Sequence, residues 1–187
     1  MQAIAILASH NGSGFEAIQN AIIEKRLKLE IKVVISNNPD AGALKKAVAF
    51  GIKTHIVNKT TDENPDEKIY NILKENDCKY VFLSGYMKKL SPLLTRNFFI
   101  INSHPSLLPK FGGSGMYGRF VHEAVIEAKE LQSGVTIHEV NENYDEGKVI
   151  LQKRLQIQPN ETVDTLESKI KTLEKESIVE ALKLCLK

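Results

Sequence analysis

The sequence contains no tryptophan, only two cysteines and no long run of apolar residues. Cys78 and Cys185 lie far apart in the chain, which favours free thiols in a reduced, cytoplasmic protein. A membrane-spanning helix needs about 18 consecutive apolar residues, so none is predicted. Met1–Leu7 has neither the basic region nor the long apolar core of a signal peptide, and it is predicted to be the first strand instead.

An excess of one sign of charge is also missing. The 25 Lys and Arg residues nearly balance the 23 Asp and Glu residues, and the net charge is +2. There is no basic block, and aromatic residues make up only 6% of the chain, so we expect neither a nucleic-acid nor a membrane partner. The five histidines show no metal-ligand spacing, and no metal site is predicted.

The sequence does contain apolar segments of strand length that alternate with segments of helical periodicity. The predicted strands are Ala3–Ala8, Ile31–Ser36, Thr54–Val57, Tyr80–Ser84 and Phe98–Ser103. The predicted helices between them are Phe15–Lys25, Ala43–Phe50, Asp66–Lys74 and Pro92–Arg96. This alternation implies right-handed crossovers and a mostly parallel sheet.

The pattern changes after Leu131. Val135–Val140 and Val149–Gln156 are predicted to be strands, and the short polar turn between them favours antiparallel pairing. Thr162 is expected to cap a final helix that extends to about Leu186. We therefore predict one α/β domain over residues 1–187: a Rossmann-like, mostly parallel sheet flanked by helices, with an antiparallel strand pair toward the C-terminus and a long terminal helix.

Asn102 and His104 close the predicted strand that begins at Phe98, and two prolines stiffen the loop that follows. Residues two apart on a strand share one face, so the amide and the imidazole are expected side by side. An imidazole can transfer protons near neutral pH, and an amide can stabilise an oxyanion. Because open α/β folds bind ligands at this end of their strands, the pair favours a catalytic site over a structural histidine bonded to a carbonyl.

Asp145 lies in the polar turn between the last two predicted strands, just before Gly147. If this strand pair folds back beside His104, the carboxylate would hold the imidazolium and raise its pKa. The alternative is an ordinary solvated turn residue. His138, on the strand that leads into the turn, either binds substrate or simply faces the sheet.

A loop with two glycines, Ser9–Gly14, joins the first strand to the first helix. Glycines allow backbone N–H groups to approach a ligand closely, and a helix N-terminus adds free donors and a positive partial charge. Ser13 and Glu16 have the spacing of a capping box. The loop is interpreted as a phosphate cradle or as a plain turn, and it matches neither the Walker nor the dinucleotide-binding motif.

Gly85 opens the turn after the fourth predicted strand. Met87 and Leu90 in the following loop could line an apolar slot, while backbone groups bond a flat heterocycle. The alternative is an ordinary loop with one buried methionine.

These segments together resemble the phosphoribosylglycinamide formyltransferases over essentially the whole chain. The strongest matches are Asn102–Pro109, Ser133–His138 and Tyr144–Gly147. The His-Pro-Ser-Leu-Leu-Pro string with a downstream Asp-x-Gly is shared by the wider formyltransferase superfamily, so it specifies the chemistry better than the acceptor. The Asn-Gly-Ser loop at Asn11–Ser13 is more specific for a ribosyl-phosphate acceptor.

The resemblance implies transfer of a formyl group from the co-substrate 10-formyltetrahydrofolate to the amine of 5′-phosphoribosylglycinamide (glycinamide ribonucleotide), without a metal. The implied catalytic residues are Asn102, His104 and Asp145. The implied ribonucleotide contacts are Gly12, Ser13, Gly14 and Glu174. The implied folate contacts are Met87, Lys88, Lys89, Leu90, Asn102, Asn141 and Asp145. Residues 1–100 would form the phosphate-binding half and residues 101–187 the catalytic and folate-binding half.

The sequence departs from the family pattern at three places. Ser103 stands where an apolar residue is usual, which is tolerated if its side chain faces away from the site. The loop Asn58–Asn64 offers no counterpart of a folate-binding arginine found in some members. Phe111–Gly118 is glycine-rich like only one branch of the family, and we interpret it as a mobile loop over the site.

Three alternatives stay open beside this interpretation. Formyltetrahydrofolate hydrolases resemble the chain over the catalytic core but carry an additional N-terminal regulatory domain, whereas the first strand here is expected to begin at residue 2. A formyltransferase for another amine acceptor fits the Asn-Gly-Ser loop less well. A non-catalytic folate or nucleotide binder would not need all three catalytic residues. The expected partners are small-molecule substrates, and the expected assembly is a monomer or a homodimer.

Overall fold

The computed structural model describes residues 1–186. The strands are β1 (Gln2–Ala8), β2 (Leu29–Ser36), β3 (Lys53–Ile56), β4 (Tyr80–Leu83), β5 (Phe99–His104), β6 (Gln132–Glu139) and β7 (Val149–Gln156). The helices are α1 (Ser13–Ile23), α2 (Gly42–Ala49), α3 (Pro65–Glu75), α4 (Pro92–Thr95), α5 (Arg119–Glu127) and α6 (Val163–Cys185). The strand order in the sheet is β3-β2-β1-β4-β5-β6-β7, and the predicted α/β fold class is confirmed.

The chain forms two compact units, Met1–Ile101 and Asn102–Lys187. In the first unit β1 pairs in parallel with both β2 and β4, and β2 pairs in parallel with β3. Ile4 to Ala8 of β1 are fully buried, as expected for a central parallel strand that is covered on both faces. Each strand and helix predicted in this part of the chain is confirmed. The observed ends lie within two residues of the predicted ones.

In the second unit β6 and β7 form the predicted antiparallel pair, with Gln132 opposite Gln156. The register shifts between Ile137 and His138, where the strand carries a bulge or irregularity. The long terminal helix α6 is also confirmed, and it begins with the predicted cap, because Thr162 Oγ1 accepts from the Thr165 N–H at 3.2 Å.

Two local features differ from the expectation. Gly12, with φ 64°, is the N-cap of α1, and no side chain caps this helix, so the capping box predicted for Ser13 and Glu16 is wrong. Left-handed backbone at the cap needs glycine, and Ser13 is already inside the helix. Helix α5 was not predicted, because the preceding glycine-rich stretch favours a loop.

Among residues 1–186, no helix is long and apolar enough to cross a membrane.

Candidate active site

The end of β5 presents alternating side chains to the two faces of the sheet. His104 is 4% exposed, and Asn102 shares its face because the strand repeat is two residues. Ser103 points to the opposite face, where its hydroxyl donates to Glu174 Oε1 at 2.6 Å. The Ser103 hydroxyl therefore has a partner away from the two predicted catalytic side chains.

The His104 ring is held from both sides. Its Nε2 lies 2.7 Å from the Phe111 carbonyl oxygen, which can only accept, so Nε2 carries the proton. Nδ1 lies 3.5 Å from Asp145 Oδ2. Burial lowers the pKa of His104, and the opposing attraction of Asp145 does not overcome it. We expected Asp145 to raise this pKa; it acts in that direction, but burial is the larger effect.

The Asp145 carboxylate is the centre of the group. Oδ2 accepts from the Gly113 N–H at 2.9 Å, and Oδ1 lies 3.5 Å from His138 Nε2. Burial alone would raise the pKa of Asp145, but His138 and His104 in their protonated forms, together with the Gly113 N–H, lower it. The turn between β6 and β7 thus brings the carboxylate beside His104, as the sequence-based hypothesis required.

The sequence alone left the role of His138 open between substrate binding and simple packing against the sheet. The structure places it at 2% exposure, with Nδ1 donating to the Glu139 carbonyl at 2.8 Å. Nε2 is then the acceptor, and Asn102 Nδ2 donates to it at 3.2 Å. His138 Nε2 therefore lies between the Asn102 amide and the Asp145 carboxylate. The only local signal was a histidine near the end of the predicted strand Val135–Val140, which does not reveal which residue the turn brings beside it.

Two glycines permit this close packing. A Cβ on Gly147 would lie 1.7 Å from the Glu139 carbonyl oxygen, so no side chain fits in the turn that carries Asp145. A Cβ on Gly112 would lie 2.5 Å from Leu108 Cδ2 and 3.3 Å from Asp145 Cβ. Phe111–Gly113, the start of the stretch that we interpreted as a loop over the site, therefore belongs to the site itself.

The two remaining predicted residues of the second unit form hydrogen bonds with Ser103 and Asn143, outside this cluster. Glu174, on α6, is partly buried and bonded to Ser103, and burial raises the pKa of its carboxyl. Asn141 is exposed and accepts from the Asn143 N–H at 2.9 Å, which shapes the turn before Asp145. Their predicted substrate contacts stay predictions.

In the first unit, the Gly12–Gly14 segment opens α1 against α2. A Cβ on Gly12 would lie 2.8 Å from Ala43 Cβ, so this loop is also tightly packed. The Phe15 N–H donates to Ser84 Oγ at 3.0 Å. The N–H groups of Ser13 and Gly14 are at the helix start, where the helix itself supplies no acceptor. Such donors could hold a phosphate.

The Met87–Leu90 segment follows β4 in the same unit. The Met87 N–H donates to Ser9 Oγ at 2.8 Å, which fixes the start of the segment. Met87 is 39% exposed, whereas Leu90 is buried. Lys88 and Lys89 between them are exposed. The expected apolar slot thus has one accessible wall residue, Met87, and its use by a folate stays a prediction.

In chemical terms, the cluster combines an amide donor, an imidazole with one free ring nitrogen and an ionised carboxylate. This set can stabilise an oxyanion and move a proton, without a covalent intermediate. Among residues 1–186 no group of three or more His, Cys, Asp or Glu side chains could hold a metal ion. Cys78 is buried, and burial raises its pKa to about 11, which disfavours the nucleophilic thiolate form.

Known proteins are similar to this chain over most of its length. A family model described as formyl transferase matches residues 2–182. The phosphoribosylglycinamide formyltransferase of Bacillus subtilis (strain 168) is 32% identical over 179 residues, which cover 93% of this chain and 89% of that protein. The chloroplastic phosphoribosylglycinamide formyltransferase of Arabidopsis thaliana is 32% identical over 173 residues, or 89% of this chain. The chain spans only 59% of that plant relative's length.

The fold is similar to a crystal structure of glycinamide ribonucleotide transformylase 1 from Symbiobacterium toebii. The TM-score is 0.90 at 29% sequence identity, and the match covers 98% of this chain and 87% of that one.

Proposed function

This chain belongs to the formyl transferase family, and on that premise we propose that it transfers the formyl group of 10-formyltetrahydrofolate to the amine of 5′-phosphoribosylglycinamide in de novo purine biosynthesis. The observation that carries the proposal is the grouping of Asn102, His104 and Asp145, with 3.5 Å between the imidazole and the carboxylate. The names of the similar proteins support the choice of acceptor.

The reaction needs a donor for the formyl oxygen as the acceptor amine attacks the formyl carbon. An amide nitrogen carries two hydrogens, and Asn102 uses one of them on His138, so the second can donate to this oxygen. His104 donates to the same oxygen through Nδ1 once that nitrogen is protonated. Burial keeps the free imidazole neutral, so its charge appears only as negative charge develops beside it.

Asp145 is assigned two tasks. Its negative charge favours the protonated form of His104 across the 3.5 Å contact. Its lowered pKa keeps the carboxylate ionised, so it can move a proton through a water molecule. In this scheme the proton lost by the attacking amine passes by way of the water and the Asp145 carboxylate to His104 Nδ1. It passes on to N10 of the folate as the bond between N10 and the formyl carbon breaks.

The substrates are assigned to the residues that resemble the family's binding positions. Gly12, Ser13 and Gly14 would hold the 5′-phosphate through backbone N–H groups, and Glu174 would contact the ribonucleotide. The residues assigned to the folate are Met87, Lys88, Lys89, Leu90, Asn102, Asn141 and Asp145. Holding both reactants in the orientation that the reaction needs would supply much of the rate enhancement.

We also propose that the protein is cytoplasmic, that its partners are small molecules only, and that it is a monomer or a homodimer.

A spectroscopic assay of 10-formyltetrahydrofolate conversion, run with and without glycinamide ribonucleotide, tests the proposal. Turnover that requires the acceptor supports the transferase. Equal turnover without the acceptor would instead establish a hydrolase. A correctly folded protein with no turnover in either case would contradict the proposal and would leave another acceptor or a binding role.

A further inference from the structure

The turn that follows β5 holds two of the three catalytic side chains through its backbone. The Phe111 carbonyl accepts from His104 Nε2 at 2.7 Å, and the Gly113 N–H donates to Asp145 Oδ2 at 2.9 Å. We call residues 106–113 the orienting segment. Its position decides which ring nitrogen of His104 carries the proton and where the Asp145 carboxylate points.

A buried hydroxyl on β6 holds the start of this segment. Thr136 Oγ1 donates to the Ser106 carbonyl at 2.7 Å and accepts from the Leu108 N–H at 3.1 Å. Thr136 is completely buried, so its hydroxyl has no access to water and would be left without a partner if these bonds were lost.

Gln152 on β7 completes the arrangement. Its Nε2 donates to Thr136 Oγ1 at 2.9 Å and to the Leu108 carbonyl at 3.1 Å. Thr136 and Gln152 are directly opposite each other in the β6–β7 register, so their side chains share one face of the pair. Leu108 is therefore bonded at its N–H by Thr136 and at its carbonyl by Gln152.

From this geometry we propose that Gln152 is a positioning residue for the reaction. It touches neither His104 nor Asp145, and it acts by holding the orienting segment so that the Phe111 carbonyl meets His104 Nε2. The effect on catalysis rests on the proposed function, whereas the effect on the His104 ring does not.

The test replaces the amide but keeps the shape. Gln152→Met removes both N–H donors, and Gln156→Met is the matched control on the same face of the same strand. Gln156 is exposed and makes no side-chain hydrogen bond within residues 1–186. Nitrogen-15 NMR of histidine-labelled protein then reports the tautomer of His104. We expect the single Nε2–H form in wild type and in Gln156→Met, and a mixture of tautomers in Gln152→Met.

Kinetics give the second readout. A displacement of about 1 Å can reduce a rate on the order of 10²-fold, so we expect kcat of Gln152→Met to fall by about tenfold or more. KM for both substrates should change by less than about twofold, because no residue assigned to binding is altered. General destabilisation would lower the melting temperature but leave the His104 tautomer and the kcat of the folded fraction unchanged.

If Gln152→Met does not fold, Gln152→Glu is used as the test variant instead. The carboxylate has the same length but cannot donate to the Leu108 carbonyl, so the same loss of the Nε2–H tautomer is expected. A folded Gln152 variant that keeps the wild-type His104 tautomer would overturn the proposal. If wild type lacks formyl transfer but the tautomer still depends on Gln152, the proposed function fails and the positioning role stands.

Discussion

His104 shows how a single residue is tuned by opposing effects. Burial disfavours the charged imidazole, while the carboxylate of Asp145 favours it, and burial prevails. The Phe111 carbonyl adds a smaller effect in the same direction as Asp145, and His138 opposes it. The free protein is therefore expected to hold a neutral, oriented imidazole, which suits a group that gains a proton only during the reaction.

The pKa of His104 can be followed by NMR titration of its ring protons. We expect a midpoint below the ordinary value of 6.5. Asp145→Asn should lower the midpoint further, because the variant removes an attraction that favours the charged ring. A midpoint that rises in Asp145→Asn would contradict the assigned electrostatics.

Asn102 is the assigned amide donor to the reacting oxygen. Removal of one such donor costs on the order of 10²–10³ in kcat, and we expect a loss of this size in Asn102→Ala in a steady-state assay. Asn20→Ala, on the exposed side of α1, is the matched control and should keep wild-type turnover. Near-normal turnover of a folded Asn102→Ala would remove Asn102 from the mechanism.

At the level of elements, the β6–β7 hairpin carries the Asp145 carboxylate of the site in its turn. Asp145 itself adopts the left-handed region, with φ 57°, which is uncommon for a residue other than glycine. The Gly147 position leaves no room for a side chain next to the Glu139 carbonyl. The turn can therefore adopt this path only with glycine at 147.

Gly147→Ala should displace the turn, because the Glu139 carbonyl is fixed within β6. We expect a loss of about 1–3 kcal/mol in the free energy of unfolding from overpacking, together with a lower kcat. Gly51→Ala is the control: Gly51 has φ 70° but no neighbour within 4 Å of an added Cβ. Urea unfolding and turnover should show both variants destabilised, but only Gly147→Ala impaired in kcat.

The elements that local patterns predict well are those with clear periodicity. The apolar runs of β1 and β2, and the cap at Thr162, follow directly from residue type and spacing. Helix α5 escaped prediction because its short apolar stripe follows a glycine-rich stretch. The wrong cap at Ser13 has a similar cause, since the backbone conformation of Gly12 decides where α1 begins.

The site was predictable only where its residues are neighbours in sequence. Asn102 and His104 are two apart on one strand, so their shared face follows from the strand repeat. The contacts of His138 depend on a hairpin that returns Asp145 to it, and no local pattern encodes that return. The positioning role proposed for Gln152 could not be predicted for the same reason, because its partner Leu108 lies 44 residues away in the chain.

For the whole molecule, the proposed function requires that the fold bind a phosphorylated acceptor. At about 100 times its Kd, a ligand adds about 2.7 kcal/mol of stability, which for a chain of this size corresponds to roughly 5–10 °C in Tm. We expect such a rise with glycinamide ribonucleotide and none with glycinamide, which lacks the ribose phosphate. Equal shifts with both compounds would contradict the role assigned to Gly12–Gly14.

Formyl transfer by this protein can be tested directly by following the formyl carbon. Wild type and His104→Ala are each supplied with 10-formyltetrahydrofolate labelled with carbon-13 in the formyl group, together with glycinamide ribonucleotide, and the products are identified by NMR. We predict labelled formylglycinamide ribonucleotide from wild type, and a rate lower by about 10²–10³-fold in His104→Ala. Labelled free formate from wild type, or an unchanged rate in a folded His104→Ala, would contradict this prediction.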